Sequence, residues 1–344
     1  MARMTFRRGC APLLLAAALA GCGPAGAAPP GPPSPAATPA ASPTATATGA
    51  GASAAASAAP NRSAPAHVLV VMDENTSYGS ALGSCGAGAP DPYLCSLAAT
   101  YASVAPWYGV EHPSQPNYID IVSGADQGCH ADYCAGARAY SAPDLGGQLS
   151  AAGIPWVAWM ESMPSACYPG ELHGSDATGL YALKHNPFVV FRDDMPPTPC
   201  HIQPYPGAAG MVRALDGPGA PAFAWITPNL CDDGHDNCGA GTLRQADTWL
   251  RANLAGVLTS SWFASGGTII VTFDEGTSPN GATLGEQGGQ VPMLVISARA
   301  RGRGRVHLSG DHFGTLRTIE EAYGLPLLGA AAAARNGDLT ALLG

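Results

Sequence analysis

Short runs of consecutive apolar residues alternate along this chain with stretches in which apolar positions return every three or four residues. Residues 66–72, 104–108, 154–160, 222–227, 267–273 and 291–297 are of the first kind, and they predict short buried strands. Residues 91–101, 144–152, 245–259 and 316–323 are of the second kind and predict helices, with Pro92 acceptable in a first turn. The strand–helix alternation implies an α/β fold, a three-layer αβα sandwich around a mostly parallel sheet. In such sheets ligands bind where the strands end. Two of the predicted strands end there in acidic clusters: 66–72 runs into Asp73-Glu74-Asn75, and 267–273 into Asp274-Glu275-Gly276. That much negative charge on one sheet edge is costly unless a cation sits among it.

Between these strands lies His112-Pro113-Ser114-Gln115-Pro116-Asn117-Tyr118. Two prolines fix φ and remove backbone donors, so the segment predicts a stiff loop rather than a helix interior or a central strand. It presents one hydroxyl, Ser114, ahead of a helix predicted over 117–123, whose N-terminal dipole would favour a nucleophile. Three further segments carry chemistry. Lys184-His185-Asn186-Pro187-Phe188 offers His185 either as a phosphate donor or as a structural histidine. Asp232-Asp233-Gly234-His235, between Cys231 and Cys238, reads as metal ligands, as acid–base groups or as a disulfide-closed turn. His312 stands at the boundary between a loop and the last predicted helix.

The N-terminus changes the picture of where the chain works. Arg7 and Arg8, an apolar run over 11–20 and then Leu19-Ala20-Gly21-Cys22 predict a signal peptide over 1–22, with a lipobox-like end that would make Cys22 a lipid anchor. The arginine pair leaves a twin-arginine export route open. Residues 23–65 are nearly all Ala, Pro, Thr, Ser and Gly and predict a disordered tether, which leaves 66–344 as the folded unit. Of the ten cysteines, Cys10 and Cys22 lie in the signal region; the other eight form an even set in an exported chain, which argues for disulfides. Neighbours in sequence suggest the pairs 85–95, 129–134, 167–200 and 231–238, and no Cys-x-x-Cys supports a zinc cluster. A net charge of −9 with scarce lysine argues against a nucleic-acid partner, and the Arg-Gly run over 299–305 reads as a solvated loop.

Asp73-Glu74-Asn75, His112-Pro113-Ser114-x-Pro116-Asn117-Tyr118, Lys184-His185-Asn186-Pro187-Phe188, Pro228-Asn229-Leu230-Cys231-x-Asp233-Gly234-His235, Asp274-Glu275-Gly276 and Asp311-His312-x-x-x-Leu316-Arg317-Thr318-Ile319-Glu320 occur in this order. In them the chain resembles, over about residues 66–328, the bacterial phosphoesterase family of secreted acid phosphatases and phospholipases C. That family lies in the alkaline phosphatase-like superfamily. The resemblance implies that Ser114 is the nucleophile of a phosphoseryl intermediate. It implies that Glu74, Asn75, Asp274 and Glu275 hold a divalent cation that also contacts the Ser114 oxygen. Asp233, His235 and His312 fall where two-metal relatives keep a second site, and Asn117 and His185 where phosphate is contacted.

Here the late pair is Asp-Glu where zinc-dependent relatives have Asp-His, and Glu-Asn replaces a lone Asp. Such oxygen ligands favour Mg²⁺, Mn²⁺ or Ca²⁺ over zinc. Without a second metal, His235 and His312 become the acid–base groups, and Asp233 joins Asn117 and His185 on the substrate side. A histidine acid implies an acidic optimum. The expected substrate is a phosphorylated small molecule or a phospholipid headgroup. A phospholipase C or other phosphodiesterase, or a non-catalytic binding lipoprotein, are the alternatives. The lack of a Cys/Ser-x-Pro-x-Arg segment argues against a sulfatase.

Overall fold

A computed structural model describes residues 67–171, 179–196, 199–277 and 287–344. The predicted signal peptide, its Cys22 anchor and the linker lie outside the described residues. Eight strands form one sheet: β1 (His67–Asp73), β2 (Ala102–Tyr108), β3 (Trp156–Met160), β4 (Ile202–Pro204), β5 (Phe223–Thr227), β6 (Gly267–Phe273), β7 (Met293–Ile296) and β8 (Gly304–Asp311). Their order is β4-β3-β5-β1-β6-β7-β2-β8. All pairings are parallel except the two that β7 makes with β6 and β2. The helices are α1 (Pro92–Thr100), α2 (Ser114–Ser123), α3 (Leu145–Ala151), α4 (Gly207–Asp216), α5 (Thr242–Val257), α6 (Ser261–Ala264) and α7 (His312–Tyr323). α5 packs on α1 and α4, while α2 packs on α3 and α7, which makes the two outer layers of the sandwich.

The sequence pattern explains the centre of the sheet. β1 and β6 are continuous apolar runs because helices cover both of their faces, and all of β6 and all of β1 after His67 are buried. They lie side by side in register from His67–Gly267 to Asp73–Phe273, so their C-terminal ends, and the acidic residues that follow, emerge together. β5 flanks β1 on the other side and delivers the loop that carries Asp233 and His235 to the same edge.

Each predicted strand and helix is present to within a few residues, and the four cysteine pairs suggested by sequence neighbours are joined. The Arg-Gly run read as a solvated loop is a turn with Arg299, Arg301 and Arg303 exposed, and its last two residues open β8, an edge strand paired with β2 whose alternate residues face outward, so its polar side chains cost nothing there. One expectation is corrected. Ser114 is not in a loop: it is the first residue of α2, and Pro116 sits in that helix's first turn, where no backbone donor is needed. Among the described residues no helix is long and apolar enough to cross a membrane.

The far end of α2 is fixed by Gly124, which takes a left-handed conformation (φ 73°) and returns its N–H to the Asp120 carbonyl at 2.8 Å. The chain near Leu328 crosses so close that a Cβ on Gly124 would lie 2.3 Å from the Leu328 carbonyl oxygen. Gly124→Ala therefore combines an unfavourable backbone conformation with overpacking. We expect a loss of about 2–4 kcal/mol in denaturant unfolding, with a lowered Tm. An unchanged Tm would contradict this account of how α2 is held.

Candidate active site

The hydroxyl of Ser114 points at the acidic ends of β1 and β6. Its Oγ donates to Glu74 Oε1 at 2.7 Å, stands 3.4 Å from Glu275 Oε1 and accepts from Asn75 Nδ2 at 3.3 Å. Asp274 belongs to the same cluster. Its Oδ1 accepts from the backbone N–H groups of Asn75 (2.8 Å) and Glu275 (2.6 Å). Asn75 takes φ 48°, a left-handed conformation that asparagine tolerates better than most residues, and this turns the chain out of β1 above Ser114. Thus Ser114, Glu74, Asn75, Asp274 and Glu275 are gathered at one place from three separate segments.

Glu74 is the hub. Oε1 also lies 2.7 Å from His185 Nε2, too far off line for a hydrogen bond, and 3.4 Å from Lys184 Nζ; Oε2 lies 3.1 Å from His235 Nδ1. Burial works against its charge, but His185, His235 and Lys184 outweigh it and hold Glu74 well below the usual carboxylate range. Its neighbours go the other way. Burial, and then the charge on Glu74, push Asp233 and Asp274 far up and Glu275 up to about 8. Asp73, at the end of β1, is also driven up, by burial first.

Four carboxylate oxygens, both of Asp73 with Oδ2 of Asp233 and of Asp274, are buried without a hydrogen-bond partner. Such orphaned, crowded acceptors are what a divalent cation would satisfy, so the residues fit one. Glu74, His185 and Asp233 also offer ligand atoms within 4.8 Å of one another. Sequence reasoning had given His185 and Asp233 to the substrate. The structure groups both with Glu74, with His185 stacked on Tyr118 (5.1 Å between ring centroids).

The remaining predicted residues take different positions. His235 is half-exposed at the rim, and its hydrogen bond to Glu74 raises its pKa against the effect of burial. His312 begins α7, fully buried, with Nε2 against the Asp274 carbonyl oxygen; burial lowers its pKa to about 4 despite that contact. It stands behind Asp274 rather than at the rim. Asn117 spends its amide on the chain before Ser114: Oδ1 accepts from the N–H groups of Val110 (2.7 Å) and Glu111 (3.1 Å), and Nδ2 donates to the carbonyls of Glu111 (2.7 Å) and Pro113 (3.3 Å). Its part is to shape that loop. Two residues that sequence reasoning left without a role also face the cluster. His112 Nδ1 contacts Glu275 Oε2, and Lys184 Nζ bridges Glu74 and Asp132. The only sequence signal for either was adjacency to a chosen residue.

Comparison with known proteins bears on the family of the chain and its fold. The Phosphoesterase family model matches residues 89–326. The chain is 31% identical over 271 residues to a phosphatidylinositol-3-phosphatase of Mycobacterium tuberculosis, covering 77% of this chain and 79% of that protein. It is 28% identical over 288 residues to a probable acid phosphatase of Kluyveromyces lactis, covering 79% of this chain and 61% of that protein. It is 26% identical over 250 residues to a phosphate-repressible acid phosphatase of Penicillium chrysogenum, covering 70% and 56%. The chain thus spans less than two thirds of these two fungal proteins. Among solved structures, murine ectonucleotide pyrophosphatase / phosphodiesterase 5 superposes with a TM-score of 0.54 at 13% identity, over 81% of this chain and 100% of that one. A protein of the alkaline phosphatase superfamily from Vibrio parahaemolyticus gives 0.52 at 13%, over 80% and 70%. These last two share the fold.

Because the Asn117 amide is committed to four backbone groups, Asn117→Ala strands buried donors and acceptors and loosens the lead-in to Ser114. We expect a loss of about 2–4 kcal/mol of stability together with a fall in kcat. A variant with wild-type Tm and kcat would contradict this assignment.

Proposed function

This chain belongs to the phosphoesterase family and is a phosphoric ester hydrolase, and from that premise we propose that it is a metal-dependent acid phosphatase acting through a phosphoseryl intermediate on Ser114. The observation that carries the reading is the Ser114 hydroxyl, at the start of α2, 2.7 Å from a charged carboxylate and ringed by buried acids. A divalent cation held by Glu74, Asn75, Asp274 and Glu275 would lower the pKa of that hydroxyl and neutralise phosphate charge. The oxygen-rich ligand set favours Mg²⁺, Mn²⁺ or Ca²⁺ over zinc.

The chain's own groups then divide the work. Ser114 Oγ, oriented by its hydrogen bond to Glu74, attacks phosphorus as the bond to the leaving alcohol oxygen breaks, and its proton, which a bound cation would make more acidic, passes to water. His235, half-exposed and able to carry a proton, protonates the departing alkoxide and then takes a proton from the water that cleaves the phosphoserine. His312 is not given that task, since it is buried behind Asp274; it steadies the carbonyl of that residue. His185 and Asp233 support Glu74 from beneath, and Asn117 sets the angle at which Ser114 is presented.

The substrate is a phosphomonoester, either of a small molecule or of a phospholipid headgroup, in keeping with the phosphatase names of the curated relatives. Export is supported by the four disulfides, since such bonds persist outside the reducing cytosol. Residues 1–22 act as the signal peptide, Cys22 as the lipid anchor and 23–65 as the tether for the phosphoesterase domain of 66–344.

Ser114→Ala should leave a folded protein whose kcat on p-nitrophenyl phosphate falls by about 10⁴-fold or more. Substantial turnover by that variant would refute the nucleophile. Chelation should abolish activity, with recovery on adding Mg²⁺, Mn²⁺ or Ca²⁺ and poor recovery with Zn²⁺. Full activity after exhaustive chelation would refute the cation.

A further inference from the structure

The chain contains sixteen basic residues, and only one of them, Lys184, is a lysine. That lysine lies inside the site. Its side chain is 12% exposed, and its ammonium stands 2.9 Å from Asp132 Oδ2 and 3.4 Å from Glu74 Oε1. The same Glu74 oxygen accepts the hydroxyl proton of Ser114 at 2.7 Å, so ammonium and nucleophile are separated by two hydrogen-bond lengths through one shared atom. A phosphoryl group on Ser114 has non-bridging oxygens that reach across such a gap.

The ammonium is held in place from two sides. Asp132 Oδ1 accepts the backbone N–H of Gln115, the residue after the nucleophile, at 3.1 Å, and the Cys129–Cys134 disulfide closes the segment that carries Asp132. Tyr133, on the same segment, sets its ring 5.9 Å from the ammonium. An ammonium has three donors, of which these contacts use two. Among the described residues the other basic partners of Glu74 are the imidazoles of His185 and His235. Lys184 is the permanent positive charge in contact with the hub.

From this we infer that Lys184 is the residue that makes the site prefer phosphomonoesters to phosphodiesters. The inference rests on the reading of Ser114 as the nucleophile and deepens it. A monoester has three non-bridging oxygens and, as pH rises through its second pKa of about 6, gains a second charge. A diester carries one charge on two. A fixed ammonium beside the nucleophile therefore has a partner in the first substrate that the second lacks. The gain is that of a charge-assisted hydrogen bond in a water-poor site, where it is strong.

The test compares p-nitrophenyl phosphate with bis(p-nitrophenyl) phosphate, using the full chain and the cation that supports its activity. Lys184→Met should cut kcat/KM on the monoester by about 10- to 100-fold and on the diester by less than about 3-fold, so that the preference collapses. Lys184→Arg should retain most of it. Where diester turnover is too slow to follow, inhibition constants of methyl phosphate and dimethyl phosphate give the same ratio. Equal losses on both esters would overturn the inference, because Lys184 would then serve only to position Glu74 and Asp132. An unchanged monoester rate would overturn it as well. Wild-type protein inert on both esters, or a Ser114→Ala variant that still turns over, would instead strike at the nucleophile itself.

Discussion

Asp73, Glu74, Asp233, Asp274 and Glu275 are buried together where the central strands end, and no arginine is paired with them among the described residues. Burying one carboxylate is expensive, and burying several side by side is possible only if most are neutral or a cation is shared. Two imidazoles and an ammonium converge on Glu74 and favour its charge, whereas burial and the charge on Glu74 disfavour charge on Asp233, Asp274 and Glu275. With a divalent ion the same acids can all ionise. The site is thus a set of crowded carboxylate oxygens that a shared cation would relieve, and Ser114 is hydrogen-bonded to Glu74, the member on which the basic groups converge.

The fold explains why these groups meet. β1 and β6 run parallel in register, so two acidic segments almost exactly two hundred residues apart by number end at the same height. β5 brings the disulfide-closed loop of Asp233 and His235 alongside. α2 supplies the nucleophile as its first residue, with its lead-in tied down by Asn117 and its far end by Gly124. Each of these holds backbone rather than substrate. Precision at Ser114 comes from groups that need never touch a phosphate.

Much of this was legible in the amino-acid order. β1 and β6 announce themselves because burial on both faces demands unbroken apolar runs, and the acids that follow stand out against them. β8 was hidden because an edge strand can carry Arg305 and His307 outward at no cost, so its composition reads as loop. β4 and α4 were missed for a related reason: one is three residues long, and the other begins in glycine and alanine. The type of residue at the site was visible, but its orientation was not. In their motifs Asn117 and His185 look like substrate groups and His312 like an acid–base group. Only the coordinates show that one is spent on a loop, one is wedged between Tyr118 and Glu74, and one lies behind Asp274. Lys184 shows the converse, for its neighbourhood depends on contacts far apart in sequence.

The most direct test of the shared-cation account is anomalous diffraction from crystals equilibrated with Mn²⁺. The account predicts one strong peak bonded to carboxylate oxygens of Glu74 and Asp274 and within coordination distance of Ser114 Oγ. A site that stays empty at saturating Mn²⁺, or a peak that leaves Ser114 out of reach, would contradict it.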